Sequence, residues 1–399
     1  MLTITLKPGK EKSLLRRHPW VFPTAIERVD GKRDELNKPG ATAVVKAADG
    51  RFLARAAFSP ASQIRARVWT FDENEPVDHG MIKRRVQKAL AYRQAVVRDS
   101  DAIRLIFGEA DGFPGLVVDW YGGPSGQLVC QFQSAGVEAW KQPIVQALIA
   151  ATGCPNVYER SDAAVREREG LPQVTGVLAG AEPGDETLVT ENGVRYAINV
   201  KTGHKTGFYV DQRDNRKLVM DHAAGRDVLN CFCYTGGFSL AALKGGAAHV
   251  TSVDSAGEAL ALAQRNQALN DFAPERAEWW DDDVFKLLRH LRDEGRTYDM
   301  IILDPPKFAA SPQQVERAAR AYKDINLIGL QLLRENGLLF TYSCSGAISA
   351  DLFQKIIAGA ASDAKVDARI LKRLSAGADH PMCTNFPEGE YLKGLMLMR

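Results

Sequence analysis

The stretch Asp227-Val-Leu-Asn-Cys-Phe-Cys-Tyr-Thr-Gly-Gly-Phe-Ser-Leu240 decides the fold that the sequence predicts. It reads as an apolar strand, a turn at Gly236 and Gly237, and then an apolar helix. Glycine has no Cβ, so the backbone can turn sharply there and a ligand can approach it closely. The helix that follows directs its N-terminal N–H groups at the same place. The stretch therefore predicts the floor of a nucleotide-type cofactor site.

Acidic residues follow the next three predicted strands. One strand ends in Asp254, an acidic turn contains Asp283, and the very apolar strand 300–303 runs into Asp304-Pro-Pro-Lys-Phe308. In doubly wound sheets, ligands bind beyond the carboxyl ends of the strands. This order predicts an α/β, Rossmann-like domain that carries an adenosine cofactor. The glycine spacing is not G-x-G-x-x-G, which argues against NAD.

Individual residues of this region suit different parts of an adenosine cofactor. Asp254 suits the paired ribose hydroxyls, although it could equally cap the N-terminus of a helix over 256–269. Asp283 is placed to accept a hydrogen bond from an adenine amino group, and the polar start of a helix at 211–216 could bind an anionic end of the ligand. The predicted cofactor residues are Gln212, Arg213, Asn230, Tyr234, Thr235, Gly236, Gly237, Phe238, Asp254, Asp283 and Asp304.

Two residues are candidates for the chemistry itself. Asp304 is followed by two prolines, which stiffen the loop and fix the carboxylate, so a functional role is favoured over a simple turn. Cys344 leaves a predicted strand, 337–342, among Ser and Gly at the edge where the cofactor should lie. A thiolate there could act as a nucleophile if nearby dipoles or cations lower its pKa. The other five cysteines are expected to be small buried apolar side chains.

The charge of the chain is uneven. Residues 1–71 contain 14 Lys and Arg against 6 Asp and Glu, a net charge of +8, so that with a total of +2 the rest carries −6. Short strand-like runs separated by turns predict a small β-barrel-like module over 1–75, and its cations suit a polyanion or, equally, a solvated surface. The phosphate-facing candidates are Arg16, Arg17, Lys46, Arg51, Arg55, Arg65 and Arg67.

A polar linker at 72–76 separates the basic module from the rest of the 399-residue chain. An amphipathic helix at 77–97 and hairpin-like strands predict a middle α+β domain over 76–191, before the cofactor domain at 192–399. Three acids of the middle domain, Glu109, Asp111 and Asp119, resemble a glycosidase carboxylate set. They lie around turns without an aromatic cleft, so a structural role is expected.

Composition excludes several classes of protein. No apolar run approaches the roughly 20 residues that span a bilayer, and the N-terminus lacks a signal-peptide core, so a cytoplasmic protein without membrane contact is expected. Six cysteines are too sparse for a disulfide scaffold. Cys231 and Cys233 form CxC without clustered His, so no metal site is predicted.

Four motifs of the sequence are informative in combination. They are Gly-Phe-Tyr-Val-Asp-Gln-Arg at 207–213, Asn-Cys-Phe-Cys-Tyr-Thr-Gly-Gly-Phe at 230–238, Asp-Pro-Pro-Lys-Phe at 304–308 and Ser-Cys-Ser at 343–345. Together they make the chain similar to the bacterial ribosomal RNA large subunit methyltransferase I family. The resemblance covers essentially the whole chain, and the basic module with His-Pro-Trp-Val-Phe at 18–22 resembles the family's N-terminal PUA domain.

The resemblance implies a class I methyltransferase fold, S-adenosylmethionine as the cofactor and formation of 5-methylcytosine in 23S ribosomal RNA. Cys344 is then the nucleophile that adds to cytosine C6, and Asp304 holds the N3/N4 edge of the base. Arg16, Arg17, Arg65, Arg67, Lys307 and Phe308 are the candidate RNA-binding residues. The family also implies a possible homodimer.

One departure from other cytosine-5 RNA methyltransferases leaves a role open. Many have a second cysteine after the proline of the Asp304-type motif, whereas Pro306 and Lys307 stand here, so the base for the C5 proton is unassigned. An exocyclic-amine methyltransferase is the alternative enzyme, but its loop would place an aromatic residue where Lys307 stands. A non-catalytic RNA-binding assembly factor would bind RNA without the cofactor. A NAD-dependent dehydrogenase ranks last.

Overall fold

A computed structural model describes residues 2–309 and 311–399. The chain forms two compact units, and each is made of more than one segment. The first unit contains residues 2–189, Ile198–Val210 and Ala378–Gly389; the second contains Thr190–Ala197, Asp211–Gly377 and Glu390–Arg399. The predicted three-domain division at 75 and 191 stays a prediction.

The N-terminal part of the first unit is a six-stranded sheet in the order β2-β6-β5-β4-β1-β3. Most of its strand residues are buried, among them Leu2, Ile4, Val45 and Ala54, and these form one apolar core. The strands are β1 (Leu2–Leu6), β2 (Trp20–Val21), β3 (Ile26–Asp30), β4 (Ala41–Lys46), β5 (Phe52–Phe58) and β6 (Ala66–Thr70), with short helices α1 (Lys12–Leu15) and α2 (Arg33–Leu36).

The rest of the first unit is built on a five-stranded sheet in the order β11-β10-β9-β8-β7. Helix α3 begins after Asp78, whose carboxylate accepts a hydrogen bond from Met81 N at 2.8 Å. The strands are β7 (Ala102–Phe107), β8 (Leu116–Tyr121), β9 (Gln127–Phe132), β10 (Val157–Ser161) and β11 (Val174–Ala179), and the helices are α3 (His79–Val96), α4 (Ala135–Ala139) and α5 (Lys141–Thr152).

Buried ion pairs explain two of the middle acids. Asp111 receives the Arg93 guanidinium, with Nη2 at 2.7 Å from Oδ2, and Asp119 receives Arg104, with Nε at 2.6 Å from Oδ1. Glu109 accepts a hydrogen bond from Trp20 Nε1 at 2.8 Å. Removing one partner of a buried pair leaves an uncompensated charge, so these acids hold the fold together. The expected structural role is consistent with these contacts.

The second unit is a seven-stranded sheet in the order β16-β15-β14-β17-β18-β20-β19. The first five strands run parallel, whereas β20 is antiparallel to both neighbours. The strands are β14 (Asp227–Cys231), β15 (His249–Asp254), β16 (Ala277–Asp281), β17 (Tyr298–Leu303), β18 (Leu333–Ser343), β19 (Arg369–Ser375) and β20 (Lys393–Met398); two earlier strands, β12 (Thr187–Glu191) and β13 (Val194–Ile198), pair with each other.

Helices link the parallel strands. In α9 the buried residues Val284, Leu287, Leu288 and Leu291 recur at helical spacing and form one apolar stripe toward the core. The helices are α6 (Arg213–His222), α7 (Gly237–Lys244), α8 (Gly257–Leu269), α9 (Val284–Asp293), α10 (Val315–Leu332) and α11 (Ala350–Ala364).

Within residues 2–309 and 311–399, every helix is too short or too polar to cross a bilayer.

Candidate active site

The point where the strand order reverses lies between β14 and β17. These central strands pair in parallel register, with Cys231 opposite Leu303, so the loops that follow them begin side by side. Residues 300–303 are fully buried, as expected for a strand covered on both faces. This edge is where doubly wound sheets bind ligands.

The turn after β14 has an unusual backbone. Phe232, Tyr234 and Gly236 adopt φ values of 61°, 50° and 81°. A Cβ on Gly236 would lie 2.7 Å from Trp279 Cη2, and one on Gly237 would lie 3.2 Å from Arg216 Cδ. Gly236 is therefore required by its positive φ and by the close Trp279 ring, whereas a Cβ on Gly237 would only press on the Arg216 side chain.

Asp254 braces this turn from the neighbouring strand. Its Oδ2 accepts a hydrogen bond from Tyr234 N at 2.8 Å, and its Oδ1 accepts one from Ala256 N at 3.0 Å. The helix begins at Gly257, and Ala256 occupies the N-cap position without a side-chain cap. The alternative interpretation of Asp254 as an N-cap is therefore wrong, because its carboxylate joins two loops of the edge instead.

Asn230 is the observation that fits a bound cofactor. Its Nδ2 donates to Ser239 Oγ at 2.8 Å, and Ser239 Oγ lies 2.7 Å from Ser252 Oγ. Its Oδ1 is buried and has no hydrogen-bond partner among the residues that the structure describes. A buried acceptor without a donor costs about 1–3 kcal/mol, so a ligand that donates a hydrogen bond there is favoured.

Asp283 has a structural contact of its own. It is the N-cap of α9, and its Oδ1 accepts a hydrogen bond from Lys286 N at 3.0 Å. The side chain is exposed at the end of the loop after β16. Contact with an adenine amino group stays a prediction for this residue.

Asp304 is held by a chain of amides. Gln212 is buried and donates from Nε2 to Asp304 Oδ2 at 3.0 Å, while its Oε1 accepts from Asn215 Nδ2 at 2.6 Å. Asn215 also donates to Ser375 O at 3.0 Å. Arg213 is buried beside Gln212, with its Nε 3.6 Å from Asp214 Oδ1. Gln212 thus touches the proposed base-binding carboxylate, a contact that motif reading did not anticipate.

The turn Ser343–Ser345, here called the Cys344 turn, is braced by hydroxyl groups. Ser343 Oγ donates to Tyr322 Oη at 2.9 Å, and Tyr322 Oη lies 3.0 Å from Ser345 Oγ. Ser345 Oγ also accepts a hydrogen bond from Ala309 N at 3.2 Å. These contacts fix the turn against helix α10 and against the loop that follows Asp304.

Cys344 and Asp304 are brought together by this arrangement. Cys344 Sγ lies 4.0 Å from the carbonyl oxygen of Pro305, the residue directly after Asp304. Cys344 is half-buried, whereas Cys130, Cys154, Cys231 and Cys233 are buried. Burial raises the pKa of the Cys231 thiol and of the Cys233 thiol, which disfavours their thiolates. Of the cysteines in the second unit, Cys344 alone is accessible.

Phe308 and Lys307 differ in exposure. Phe308 is half-buried and packs on Tyr322 and Phe285, with ring centroids 4.8 Å and 5.9 Å away. Lys307 is exposed. Phe308 is therefore part of the apolar packing around the Cys344 turn, and Lys307 is the residue of the pair that offers a charge to solvent.

The four arginines proposed for RNA binding differ in their exposure to solvent. Arg16 and Arg17 are exposed, and Arg65 is half-buried with its guanidinium donating to Pro60 O. Arg67 is 8% exposed, and its Nη1 lies 2.7 Å from Glu169 Oε1. The prediction that Arg67 faces phosphates is wrong, because its charge is already paired and buried. The strand pattern of the sequence predicts that Arg67 lies in a strand, but it does not show which side of the sheet the Arg67 side chain faces.

Sequence reasoning missed a buried ion pair beside the glycine turn that follows β14. Arg216 forms two hydrogen bonds to Glu191, with Nε at 2.6 Å from Oε1 and Nη2 at 2.7 Å from Oε2. Both residues are almost completely buried, and Gly237 lies against Arg216. Phe238 stacks on Tyr342 at a centroid distance of 5.6 Å. No motif of the sequence signals these contacts, since their partners lie far apart along the chain.

No group of three or more His, Cys, Asp or Glu side chains suited to a metal ion occurs in the part of the chain that the structure describes.

Comparison with known proteins agrees with this fold and site. Residues 104–384 match the family of S-adenosylmethionine-dependent methyltransferases, and residues 4–71 match a PUA-like domain. Among solved structures, a putative S-adenosylmethionine-dependent methyltransferase from Streptococcus mutans is 25% identical, with a TM-score of 0.83 and full coverage of both chains. A putative methyltransferase solved in complex with SAH is also 25% identical, with a TM-score of 0.85. The fold and the site define an S-adenosylmethionine-dependent methyltransferase, which confirms the predicted fold class and cofactor.

Curated relatives narrow the assignment. The ribosomal RNA large subunit methyltransferase I of Shewanella amazonensis is 49% identical over 397 residues, 99% of this chain and 98% of the relative. That of Aliivibrio fischeri is 49% identical over 396 residues, 98% of each chain. The chain belongs to the ribosomal RNA large subunit methyltransferase I family.

Proposed function

We propose that this methyltransferase forms 5-methylcytosine in 23S ribosomal RNA through a covalent bond between Cys344 and C6 of the base. The observation that carries the proposal is the placement of Cys344 Sγ 4.0 Å from Pro305 O, directly after Asp304 and at the edge where the parallel strands end. The relatives' names supply ribosomal RNA of the large subunit as the substrate class. RNA of this kind would place the protein in the cytoplasm.

The proposed reaction requires a nucleophile that adds to C6 of cytosine, and the Cys344 thiolate is suited to that role. Cytosine C5 is a poor nucleophile until the Cys344 thiolate bonds to C6 and the electron pair of the C5–C6 double bond shifts toward C5. S-adenosylmethionine, when bound, supplies a methyl group on a positively charged sulfur, which keeps the electron pair of the broken S–CH3 bond when C5 takes the methyl group. Once C5 carries the new methyl group, a base takes the C5 proton, and its bonding pair restores the double bond as the S–C6 bond breaks. The Cys344 thiolate is thereby regenerated.

Asp304 suits recognition of the base. A carboxylate accepts from the exocyclic N4 amine of cytosine and, when protonated, can donate to N3. The Gln212 amide fixes one of its oxygens at 3.0 Å, which restricts the direction of the other. A base within a helix cannot reach such a group unless it is unpaired or leaves its stack.

The cofactor would be held by the loops after β14, β15 and β16. Asn230 offers a buried acceptor, Asp254 is suited to ribose hydroxyls beside the Tyr234 turn, and Asp283 is suited to an adenine amino group. Gln212, Arg213, Thr235, Gly236, Gly237 and Phe238 complete the proposed set.

An exocyclic-amine methyltransferase is less well supported. That chemistry places an aromatic ring on the flipped base directly after the Asp-Pro-Pro sequence. Here Lys307 takes that position, and Phe308 packs on Tyr322 instead of standing free. The loop therefore lacks an exposed stacking ring among its described residues 304–309.

The test of the proposed function is methyl transfer from labelled S-adenosylmethionine to unmodified 23S ribosomal RNA, followed by digestion to nucleosides. We expect 5-methylcytidine as the labelled product. A methyl group on an exocyclic amine would establish the alternative enzyme. Binding of RNA without binding of S-adenosylmethionine, measured by calorimetry, would indicate an assembly factor. The homodimer implied by the family resemblance is tested separately by light scattering.

The exposed arginines of the basic module, Arg16 and Arg17, are proposed to contact RNA phosphates. Replacing both with Gln should weaken binding and reduce the slope of log K against log salt by about 1.5, because each contact releases condensed counterions. The measurement is a salt titration with 23S ribosomal RNA fragments. The matched control is the double replacement of Arg28 and Arg33, two exposed arginines of the same module. An equal loss in both pairs would show that only net charge matters.

A further inference from the structure

Lys393 is a buried cation beside the Cys344 turn. It opens strand β20 and pairs directly with Ser343 across the antiparallel ladder. The residue is only 5% exposed, yet its Nζ donates to Ser345 O at 2.9 Å and to Ile348 O at 2.8 Å. Both acceptors are backbone carbonyls of the segment that carries Cys344, so the lysine ties the strand to the turn.

Among the described residues, no carboxylate forms an ion pair with the buried Lys393 ammonium. Of the residues that the structure describes, no carboxylate lies within 4.0 Å of Lys393 Nζ, and its hydrogen bonds go to neutral carbonyls. Buried lysines are ordinarily paired because removing an ammonium from water is costly. A buried cation that has no hydrogen-bonded carboxylate and is tied to the turn of a cysteine favours a thiolate at that cysteine, in addition to the charge of Glu390 outside ion-pair distance.

Several charges act on Lys393. Its pKa is lowered, chiefly by burial, while the charges of Glu390 and then Cys344 oppose this lowering and that of Lys307 adds to it. Tyr322 faces the same turn from α10, and its pKa is raised by burial and, to a lesser degree, by Cys344. The charged and titratable groups around the turn are thus Lys393, Lys307, Glu390, Tyr322 and Asp304.

We propose that Lys393 is a positioning residue for Cys344: its buried ammonium holds the Cys344 turn and stabilises the thiolate that adds to cytosine C6. The inference rests on the proposed function, because it requires Cys344 to act as the nucleophile. The thiol proton leaves to solvent water before addition, and the resulting S⁻ lies in the field of a fixed positive charge. Nearby cations lower the energy of a thiolate in this way.

The direct test measures alkylation of Cys344 by iodoacetamide as a function of pH in the full-length protein, with mass spectrometry of the Cys344 peptide as the readout. We expect Lys393→Met to raise the pH midpoint by about one unit and to slow alkylation at pH 7 about tenfold. Lys393→Arg keeps the charge and should stay closer to the wild type. Lys355→Met, which removes an exposed lysine of the same unit, should change nothing.

A second measurement distinguishes stabilisation of the Cys344 thiolate by charge from mechanical support of the Cys344 turn. If Lys393 stabilises the thiolate, single-turnover methyl transfer by Lys393→Met should recover as the pH rises. A loop-bracing role alone would give a loss that is independent of pH. Alkylation of the buried Cys231 reports loss of fold. If Cys231 is alkylated in Lys393→Met, the pH dependence of methyl transfer is measured instead in Lys393→Gln, which keeps a hydrogen-bond donor.

A folded neutral variant whose alkylation profile matches the wild type would overturn the inference while leaving the role of Cys344 intact. Persistence of 5-methylcytidine in Cys344→Ala would overturn the proposed function itself, and with it the role of Lys393. The two failures are therefore distinguishable.

Discussion

Replacing Cys344 with Ala is expected to abolish formation of 5-methylcytidine, with a loss of at least about 10³-fold in single-turnover rate. The reason is that Cys344 is the accessible thiol among the described residues of the second unit, so the variant has no thiolate there to add to C6 and raise the electron density at C5. The Asp304 loop, braced by Gln212 and Ala309, does not depend on the sulfur atom, so S-adenosylmethionine binding should stay within about threefold of the wild type. Rates are measured with labelled cofactor and unmodified 23S ribosomal RNA.

The matched control for this variant is Cys383→Ala, which removes the other half-buried cysteine of the chain. Burial raises the pKa of Cys383, which disfavours its thiolate, so its replacement should leave the rate unchanged. A covalent test complements the rates: RNA that carries 5-fluorocytidine lacks the C5 proton, so the adduct should persist on a denaturing gel in the wild type and be absent in Cys344→Ala. Full activity of Cys344→Ala would refute the covalent mechanism.

The fold was predictable because its signals are local. The apolar strand at 227–231, its glycine turn and the acids that end the later strands follow one another in the order in which the sheet is built. Helix α3 was predicted at 77–97 and lies at His79–Val96, since its apolar spacing is unbroken. The helical segment 135–152 is divided at Trp140 into α4 and α5, a break that a hydrophobic pattern alone does not reveal.

Contacts between distant residues were not predictable in the same way. Lys393 reaches the Cys344 turn across 48 positions of sequence, and Arg216 meets Glu191 across 25. The sequence predicts Arg67 as one of the phosphate-facing cations of the basic module, but Glu169 offers it a buried partner 102 positions away. In each case the role of the side chain depends on which residue it contacts, and that residue is known only from the folded structure.

Two kinds of interaction position the residues of the site: backbone geometry on one side and side-chain hydrogen bonds on the other. The proposed cofactor side is fixed by backbone geometry, namely positive φ angles, close glycines and the Asp254 carboxylate on two backbone N–H groups. The proposed base side is fixed by side chains, namely Gln212 on Asp304 and the hydroxyl groups of Tyr322 and Ser345. Substitutions on the cofactor side should therefore disturb folding and binding together, whereas those on the base side can change the chemistry with the fold intact.

Asp304→Asn is the substitution that best exploits this difference, and it is expected to lower the methyl-transfer rate about 10²- to 10³-fold, a loss of about 3–4 kcal/mol. The amide has the same shape as the carboxylate and can still accept a hydrogen bond from Gln212 Nε2. Its NH2 group then meets the N4 amine of cytosine, donor against donor, and its negative charge is gone. The control is Asp283→Asn, an exposed N-cap on another loop, whose effect should appear in cofactor affinity.

Two measurements decide the Asp304 prediction. Single-turnover rates with saturating RNA report the chemical step, and calorimetry with S-adenosylmethionine reports the cofactor site. A large fall in rate with nearly unchanged cofactor affinity places Asp304 at the base, because an interaction made only with the reacting substrate is lost from the rate alone. If the main loss were instead in cofactor affinity, Asp304 would belong to the cofactor site; a rate within threefold of the wild type would remove it from the reaction altogether.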